Sequence, residues 1–244
     1  MNFSNLNRNE FTNRLQAQPF DLLVIGGGIT GCGIALDAAL RGMKVALIEM
    51  IDFASGTSSR STKLILGGLR YLKQLEIKLV HDVGSERAVV HRNARHVVIP
   101  EKMLLPIQQD GSLGKNSSSL GLLVYDLLAG VKKEERRVML NKHDTLKAEP
   151  LLAGDKLVGG GLYFEYRTDD SRLTIEIAKS AFDKGATLLN YTECRNFTYD
   201  AAGKVTGARV LDKVTGNEFD ILATTVENAS GPWVDLLRKE YNSL

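Results

Sequence analysis

The sequence predicts an α/β protein with a parallel sheet at its centre, and three successive segments predict it. Asp21-Leu-Leu-Val-Ile25 is a short apolar run set between a polar stretch and Gly26-Gly-Gly28, the pattern of a buried strand. Ile29 to Leu40 follows, rich in small and apolar residues and closed by Arg41-Gly42 as a helix end is. Val45-Ala-Leu-Ile48 is a second apolar strand, ending at Glu49. Strand, glycine turn, helix and strand within about 30 residues make a βαβ unit, which imposes parallel pairing and a right-handed crossover.

Inside the unit sits Gly26-x-Gly28-x-x-Gly31. In that position the first glycine allows a tight turn off the strand, the second lets backbone approach a pyrophosphate, and the third lets the helix pack closely on the sheet. The helix N-terminus then turns free N–H groups and a positive dipole end toward phosphates. Glu49, 18 residues beyond Gly31, stands where a carboxylate accepts hydrogen bonds from an adenosine ribose. The same carboxylate repels a 2′-phosphate, which argues against NADP. Since FAD and NAD share an ADP half, the fingerprint predicts a dinucleotide without choosing between them.

Composition narrows the classes of function. The 244 residues carry 31 Lys+Arg against 29 Asp+Glu, a formal charge of +2 spread along the chain, and 43% hydrophobic side chains. That is ample material for a core, and it leaves no basic face for nucleic acid. Cys32 and Cys194 lie far apart with no metal-ligand spacing, so neither a disulfide framework nor a zinc site is expected, and no metal is. A polar, Asn-rich N-terminus and the lack of an apolar run near 20 residues point away from secretion and membrane spanning. The Asn-x-Ser/Thr triplets at Asn2, Asn116, Asn190, Asn196 and Asn228 then read as chance. A cytoplasmic, reducing location is the expectation.

Phe53 to Leu72 packs six Ser/Thr and three Gly around Lys63, Arg70 and Tyr71, which suggests backbone shaped around a ligand. Gly26-Gly-Gly-Ile-Thr-Gly31, Gly56-Thr-Ser-Ser-Arg-Ser-Thr-Lys-Leu-Ile65, Gly67-Gly-Leu-Arg-Tyr-Leu72 and Asn228-Ala-Ser-Gly-Pro-Trp233 together resemble the FAD-dependent glycerol-3-phosphate dehydrogenases and the similar α-glycerophosphate oxidases. The likeness runs from about Phe20 to Val234.

That resemblance implies a Rossmann-like FAD-binding fold of the glutathione-reductase/D-amino-acid-oxidase type, with a cap-domain segment inserted in it. It places Gly26, Gly28, Ile29, Thr30, Gly31 and Glu49 on the ADP half of FAD. Thr57, Ser58, Ser61, Lys63, Leu64, Leu66 and Gly67 would line the stretch from pyrophosphate to isoalloxazine, where hydroxyl and N–H groups tune a flavin. Arg70 and Tyr71 match positions that face the substrate phosphate, to which a guanidinium is suited. Cys194 would meet the adenine, with Ser230 and Gly231 near the flavin's phosphates. At Leu66 the family usually carries histidine, so a proton-exchanging group near the flavin is replaced by an inert one. The implied reaction is oxidation of sn-glycerol 3-phosphate to dihydroxyacetone phosphate, with quinone as electron acceptor or, alternatively, oxygen; the other alternative is a truncated FAD-binding module without turnover. A peripheral contact with the inner face of the plasma membrane and a homodimer accompany the reaction as expectations. The family's chains run to about twice this length, so the base that takes the C2 hydroxyl proton is expected beyond residue 244.

The domain reading is accordingly a polar N-terminal extension at 1–19, a first FAD-binding part at 20–100, the start of a substrate or cap domain at 101–158, a second FAD-binding part at 159–235, and the start of a further cap segment at 236–244. Within these, Leu72, Leu75, Leu79 and Val83 predict an amphipathic helix against the core. His81, His91, His96 and His143 read as structural. Asp110 to Ser119 reads as a loop, Leu120 to Val131 as an apolar stretch and Lys132 to Arg137 as a solvated charged face. Leu157 to Gly161 reads as a turn and Leu162 to Tyr166 as a strand. Asp169, Asp170 or Ser171 caps a helix from Leu173 to Lys184. Short strands from Thr187 to Ala223 form a meander crossing over the sheet, and Ala223 to Gly231 returns a final strand to the glycine turn.

Overall fold

The computed structural model describes residues 3–65, 71, 74, 76–110, 123 and 136–242. In chain order the elements are α1 (Arg8–Ala17), β1 (Phe20–Ile25), α2 (Ile29–Leu40), β2 (Val45–Ile48), β3 (Leu64–Ile65), α3 (Ile77–Asn93), β4 (Val98–Gln108), β5 (Val138–Asn141), α4 (Lys142–Ala148) and β6 (Leu157–Thr168). They continue as α5 (Asp170–Asp183), β7 (Thr187–Leu189), β8 (Thr192–Tyr199), β9 (Val205–Asp212), β10 (Glu218–Asn228) and α6 (Val234–Asn242). Two compact units form: Met1–Ser61 with Asp169–Leu244, and Thr62–Thr168.

The first unit is built on a six-stranded sheet of order β7-β2-β1-β10-β9-β8. β7, β2, β1 and the second half of β10 run parallel, as the βαβ pattern requires. The first half of β10 pairs antiparallel with β9, and β9 with β8. The meander therefore extends the sheet instead of crossing over it. The reason is β10's length: Glu218 to Leu222 pairs with β9 and Ala223 to Asn228 with β1, so one unbroken strand replaces the two expected.

Strand alternation sorts the core into two layers. Leu22, Val24, Val45 and Leu47 face α2 and α5, where Ala35, Ala38, Ala178 and Ala181 let both helices lie close to the sheet and to each other. Leu23, Ile25, Ala46 and Ile48 face the opposite side and are covered by Phe11 and Leu15 of α1. The segment read as a polar extension thus supplies a layer of the fold. Phe11 and Leu15, four residues apart on one helical face, were its sequence signal.

Arg8 opens α1 with a buried guanidinium. It pairs with Asp212 at 2.6 Å and donates to the Asn190 carbonyl at 2.9 Å and to Thr192 Oγ1 at 3.3 Å. Asn190 in turn donates to Asp52 at 2.8 Å. Burial alone raises the Asp212 carboxyl, but Arg8, the Val214 N–H and Thr215 more than reverse this and hold it below the ordinary carboxylate range.

In the second unit β6 is central, flanked by β4 along one edge and by β5 and β3 along the other. β6 begins at Leu157, so the expected glycine turn is strand. A Cβ on Gly159 would lie 2.5 Å from the Leu140 carbonyl, and the glycines let β5 come that close. α3 also differs from expectation. Of the expected stripe, Leu72 and Leu75 lie outside the described residues; the buried one is Val80, Gly84 and Arg87, and Leu79 stays 39% exposed. Arg87 is drawn in by Glu165 at 2.9 Å and by the Tyr166 ring, 4.9 Å from its guanidinium carbon. His91 donates from Nδ1 to the Val98 carbonyl at 3.1 Å and packs on Tyr166, a structural place as expected. The loop, apolar stretch and charged run expected between Asp110 and Arg137 lie almost wholly outside the described residues.

Arg8→Met leaves the Asp212 carboxylate buried without its cation and should lower the unfolding free energy by about 3–5 kcal/mol, read as a fall in urea midpoint at pH 7. Because the folded carboxyl titrates below its unfolded counterpart, Asp212's contribution is complete above the ordinary carboxylate range and is lost as pH falls through the depressed value. The gap between parent and variant should narrow from about pH 6 toward about pH 3. A gap that stays constant over that range contradicts the assignment.

Candidate functional site

At the carboxyl ends of β1, β2 and β10 the chain leaves the sheet in three directions. β1 is the strand where the order reverses, with β2 on one side and β10 on the other, which is where open α/β sheets leave a crevice. A cavity of about 510 Å³ occupies it.

Its floor is set by Gly26. The Gly26 N–H donates to the Ile48 carbonyl at 2.8 Å, and the Ala229 N–H donates to the Ile25 carbonyl at 2.9 Å, so the turn is tied to both neighbouring strands. Gly26 has φ +119°, a conformation that side chains resist, and a Cβ there would lie 2.4 Å from the Ala229 carbonyl. On Gly31 a Cβ would stand 1.9 Å from the Gly26 carbonyl. Glycine at both places is what lets α2 start directly over the end of β1 and aim its N-terminus into the cavity.

Gly28 is the N-cap of α2 and brings no side chain to the helix end. The Ile29 N–H donates to Ser58 Oγ at 2.8 Å, which reaches across from the 3₁₀ turn Thr57–Ser59. Glu49 sits at the tip of β2, its carboxylate accepting from the Gly27 N–H at 2.7 Å and the Ile51 N–H at 2.9 Å. Its own carbonyl accepts from the Thr192 N–H at 2.8 Å, which sets the start of β8, and with it Thr192, Glu193 and Cys194, on the cavity rim. Beneath the turn the Cys32 thiol donates to the Gly27 carbonyl at 3.6 Å; burial, then the Glu49 charge, pushes it up to about 12, so it is an inert packing group.

Of the residues expected from sequence, Gly26, Gly28, Ile29, Thr30, Glu49, Thr57, Ser58, Cys194, Ser230 and Gly231 line this one cavity, and Gly31 lies directly under it. Ser61 does not line it: its hydroxyl donates to the Asp170 carboxylate at 2.7 Å. Lys63 and Leu64 belong to the second unit, where Lys63 has φ +60° and its carbonyl accepts from the Thr168 N–H. Tyr71 is 41% exposed. Leu66, Gly67 and Arg70 lie outside the described residues.

Trp233 is the largest of the lining residues not expected from the sequence. The strand–turn segment after β10 turns it into the cavity, against Gly56, where a Cβ would meet the indole at 2.9 Å. Its position at the end of Asn228-Ala-Ser-Gly-Pro-Trp233 was the available signal. Leu236 and Leu237 of α6 continue the same apolar wall.

The cavity thus offers an unprotected backbone turn, a helix N-terminus, a fixed carboxylate at the rim and an apolar wall, which is what an adenine dinucleotide requires. The family profile described as FAD dependent oxidoreductase matches residues 21–243. The chain belongs to that family. A relative from Staphylococcus epidermidis, an aerobic glycerol-3-phosphate dehydrogenase, is 57% identical over 238 residues, which is 98% of this chain and 43% of the relative. The chain therefore spans less than half the length of the curated relatives it matches. Among solved structures, the glycerol-3-phosphate dehydrogenase from Bacillus halodurans complexed with FAD superposes with a TM-score of 0.79 at 45% identity, over 99% of this chain and 40% of that one. L-Proline dehydrogenase from P. horikoshii, at 20% identity and a TM-score of 0.68 over 92% of this chain and 56% of its own, shares the fold. The α/β, Rossmann-like FAD-binding fold expected from the sequence is the one found, and FAD is the family's cofactor.

Trp233 is the chain's single tryptophan, so FAD titrated into the apoprotein should quench its fluorescence in a saturable way. Gly28→Val, whose branched side chain would crowd Ser58 Oγ, 3.1 Å from the Cβ position, and fill the approach to the turn, should abolish both quenching and retention of yellow colour through desalting. Retained colour in that variant would place the cofactor elsewhere.

Proposed function

We propose that this chain is the nucleotide-binding part of an enzyme that uses FAD to oxidise sn-glycerol 3-phosphate to dihydroxyacetone phosphate. The observation that carries the reading is the 57% identity, maintained over 98% of the chain, to an aerobic glycerol-3-phosphate dehydrogenase. FAD supplies the acceptor for a hydride and its electron pair.

The chain's own residues do the holding. The N-terminus of α2 receives the pyrophosphate over the Gly26–Gly28 turn, which brings no side chain in the way, with the helix dipole directed at negative charge. Glu49, already fixed by two N–H groups, keeps lone pairs for the adenosine ribose. Cys194 and Thr192 form the edge against the adenine. Thr57 and Ser58 face the diphosphate from the opposite wall, and Ser230 with Gly231 closes the end of β10 over it. Trp233 and the leucines of α6 exclude water from the apolar side. Arg70 and Tyr71 are assigned to the substrate's phosphate, following the Leu-Arg-Tyr-Leu resemblance.

For the acceptor, the relative's name, a dehydrogenase and not an oxidase, favours a quinone over oxygen; a cytoplasmic place, peripheral to the inner face of the plasma membrane, and a homodimer go with that reading. No described helix is long and apolar enough to cross a membrane, so such a contact would be made at the surface.

The test is anaerobic reduction of the flavin in the protein that carries this chain. Glycerol 3-phosphate should bleach the flavin band, with glycine and proline leaving it unchanged. Reoxidation by a soluble quinone, faster than by air and without hydrogen peroxide, separates dehydrogenase from oxidase. Bleaching by an amino acid and not by glycerol 3-phosphate would sink the proposed substrate.

A further inference from the structure

The two adjacent aspartates ahead of α5 do different work. Asp169 is exposed and is the helix N-cap, accepting from the Arg172 N–H at 3.0 Å. Asp170 is buried and turns the other way. One of its oxygens accepts both the Ser61 N–H, at 3.2 Å, and the Ser61 hydroxyl, at 2.7 Å; the other accepts from the Ser171 N–H at 3.0 Å.

Ser61 ends the segment that makes one wall of the cavity. That segment is pinned at its start, where the Ala54 N–H donates to the Gly27 carbonyl at 3.0 Å. In the middle Ser58 Oγ meets the Ile29 N–H at 2.8 Å. Beyond this point the Ser59 N–H donates to the Gly56 carbonyl and the Arg60 N–H to the Thr57 carbonyl, the local bonds of a 3₁₀ turn. A loop held at one end and the middle still swings about its far end. The Asp170 carboxylate supplies the third point, and the Thr57–Ser59 turn lies against α5.

We propose that Asp170 is a positioning residue for the cofactor: by holding Ser61 it fixes the Ser55–Ser58 wall at the distance from the α2 N-terminus that a diphosphate requires. This rests on reading the cavity as the FAD site, yet it goes beyond it, since Asp170 does not line the cavity. A carboxylate suits the task because its two donors from Ser61 are charge-assisted and its place in the first turn of α5 is favoured by the helix dipole. The Thr174 hydroxyl, donating to the Asp170 carbonyl at 2.9 Å, keeps the residue in place.

The experiment compares Asp170→Ala, Asp169→Ala, Ser61→Ala and the double variant Ser61→Ala/Asp170→Ala in the whole protein. Amide exchange in residues 55–61 of the apoprotein reports the tether without any ligand, and FAD affinity reports its purpose. Asp170→Ala should speed exchange across the loop and raise the FAD Kd about tenfold, the equivalent of one lost charge-assisted hydrogen bond. Asp169→Ala, which removes the cap alone, should lower Tm while leaving loop exchange unchanged and Kd within about twofold. The double variant should bind FAD no more weakly than Asp170→Ala. Equal losses of affinity in the two aspartate variants, or a loosened loop with unchanged Kd, would overturn the proposal. Failure of the unsubstituted protein to take up FAD would instead overturn the cofactor reading, and the exchange data would still report whether the tether exists.

Discussion

The carbonyl of Gly26 and the α-carbon of Gly31 approach so closely that a single methyl group at residue 31 would stand 1.9 Å from oxygen, and the arrangement of the first unit follows from that approach. It fixes where α2 begins relative to β1, so the helix lies flat enough for Ala35 and Ala38 to reach the sheet. It also fixes what is left over. A helix that starts directly above a strand end, with β10 tied to the same turn through Ala229, must leave its first N–H groups facing a crevice. Fold and site are therefore one constraint seen twice: the packing that closes the core opens the cavity.

The parts of this unit legible in the sequence are those whose cause is local. Glycine spacing, apolar strand runs and the distance to Glu49 are short-range patterns, and they located β1, α2, β2 and most of the cavity floor. What escaped was fixed over long range. α1 was read as an extension because its net composition is polar, yet only Phe11 and Leu15 need to be apolar when the sheet supplies the rest of the contact. Arg8 lies 204 residues from Asp212, and nothing in either segment announces the pairing. β10 was divided in two because its partner changes midway from β9 to β1, a change that leaves no mark on the strand's own sequence. Trp233 carries no charge to advertise a role, and only the fold shows that it faces Gly56 across the cavity.

Buried charge is used here for register more than for net stability. A buried pair returns little over an apolar substitute, but a broken one is costly, so it penalises any arrangement that separates its members. Arg8 with Asp212 ties α1 to the end of β9, and through Asn190 and Thr192 to the turn from which β8 leaves. Tyr191, in that turn, holds φ +49°, and its N–H and carbonyl are taken by Ile51 and Lys213. Each of these contacts sets the start of β8 beside Glu49. In the second unit Arg87 and Glu165 serve the same end, binding α3 to the central strand where an apolar stripe would tolerate a shift of one turn. Leu79, facing solvent, shows that hydrophobic periodicity alone would have chosen a different face.

The charge balance at the cavity explains why glycines, and not basic residues, mark it in the sequence. Among the described residues lining it are two carboxylates, Glu49 and Glu193, and no Lys or Arg. Among those residues a diphosphate meets no side-chain cation; with the Gly26, Gly27 and Ile29 N–H groups already given to Ile48, Glu49 and Ser58, its attraction comes from the remaining N–H groups at the start of α2 and from the helix end, a partial charge of about half a unit. Those groups act only at hydrogen-bond range, so the walls must be placed to within a few tenths of an ångström, whereas a lysine on a flexible stem would forgive more. The two carboxylates sharpen selection further. They tolerate a ribose hydroxyl and oppose additional phosphate, so a site of this kind gains discrimination from the same absence of basic side chains that makes precise backbone geometry necessary.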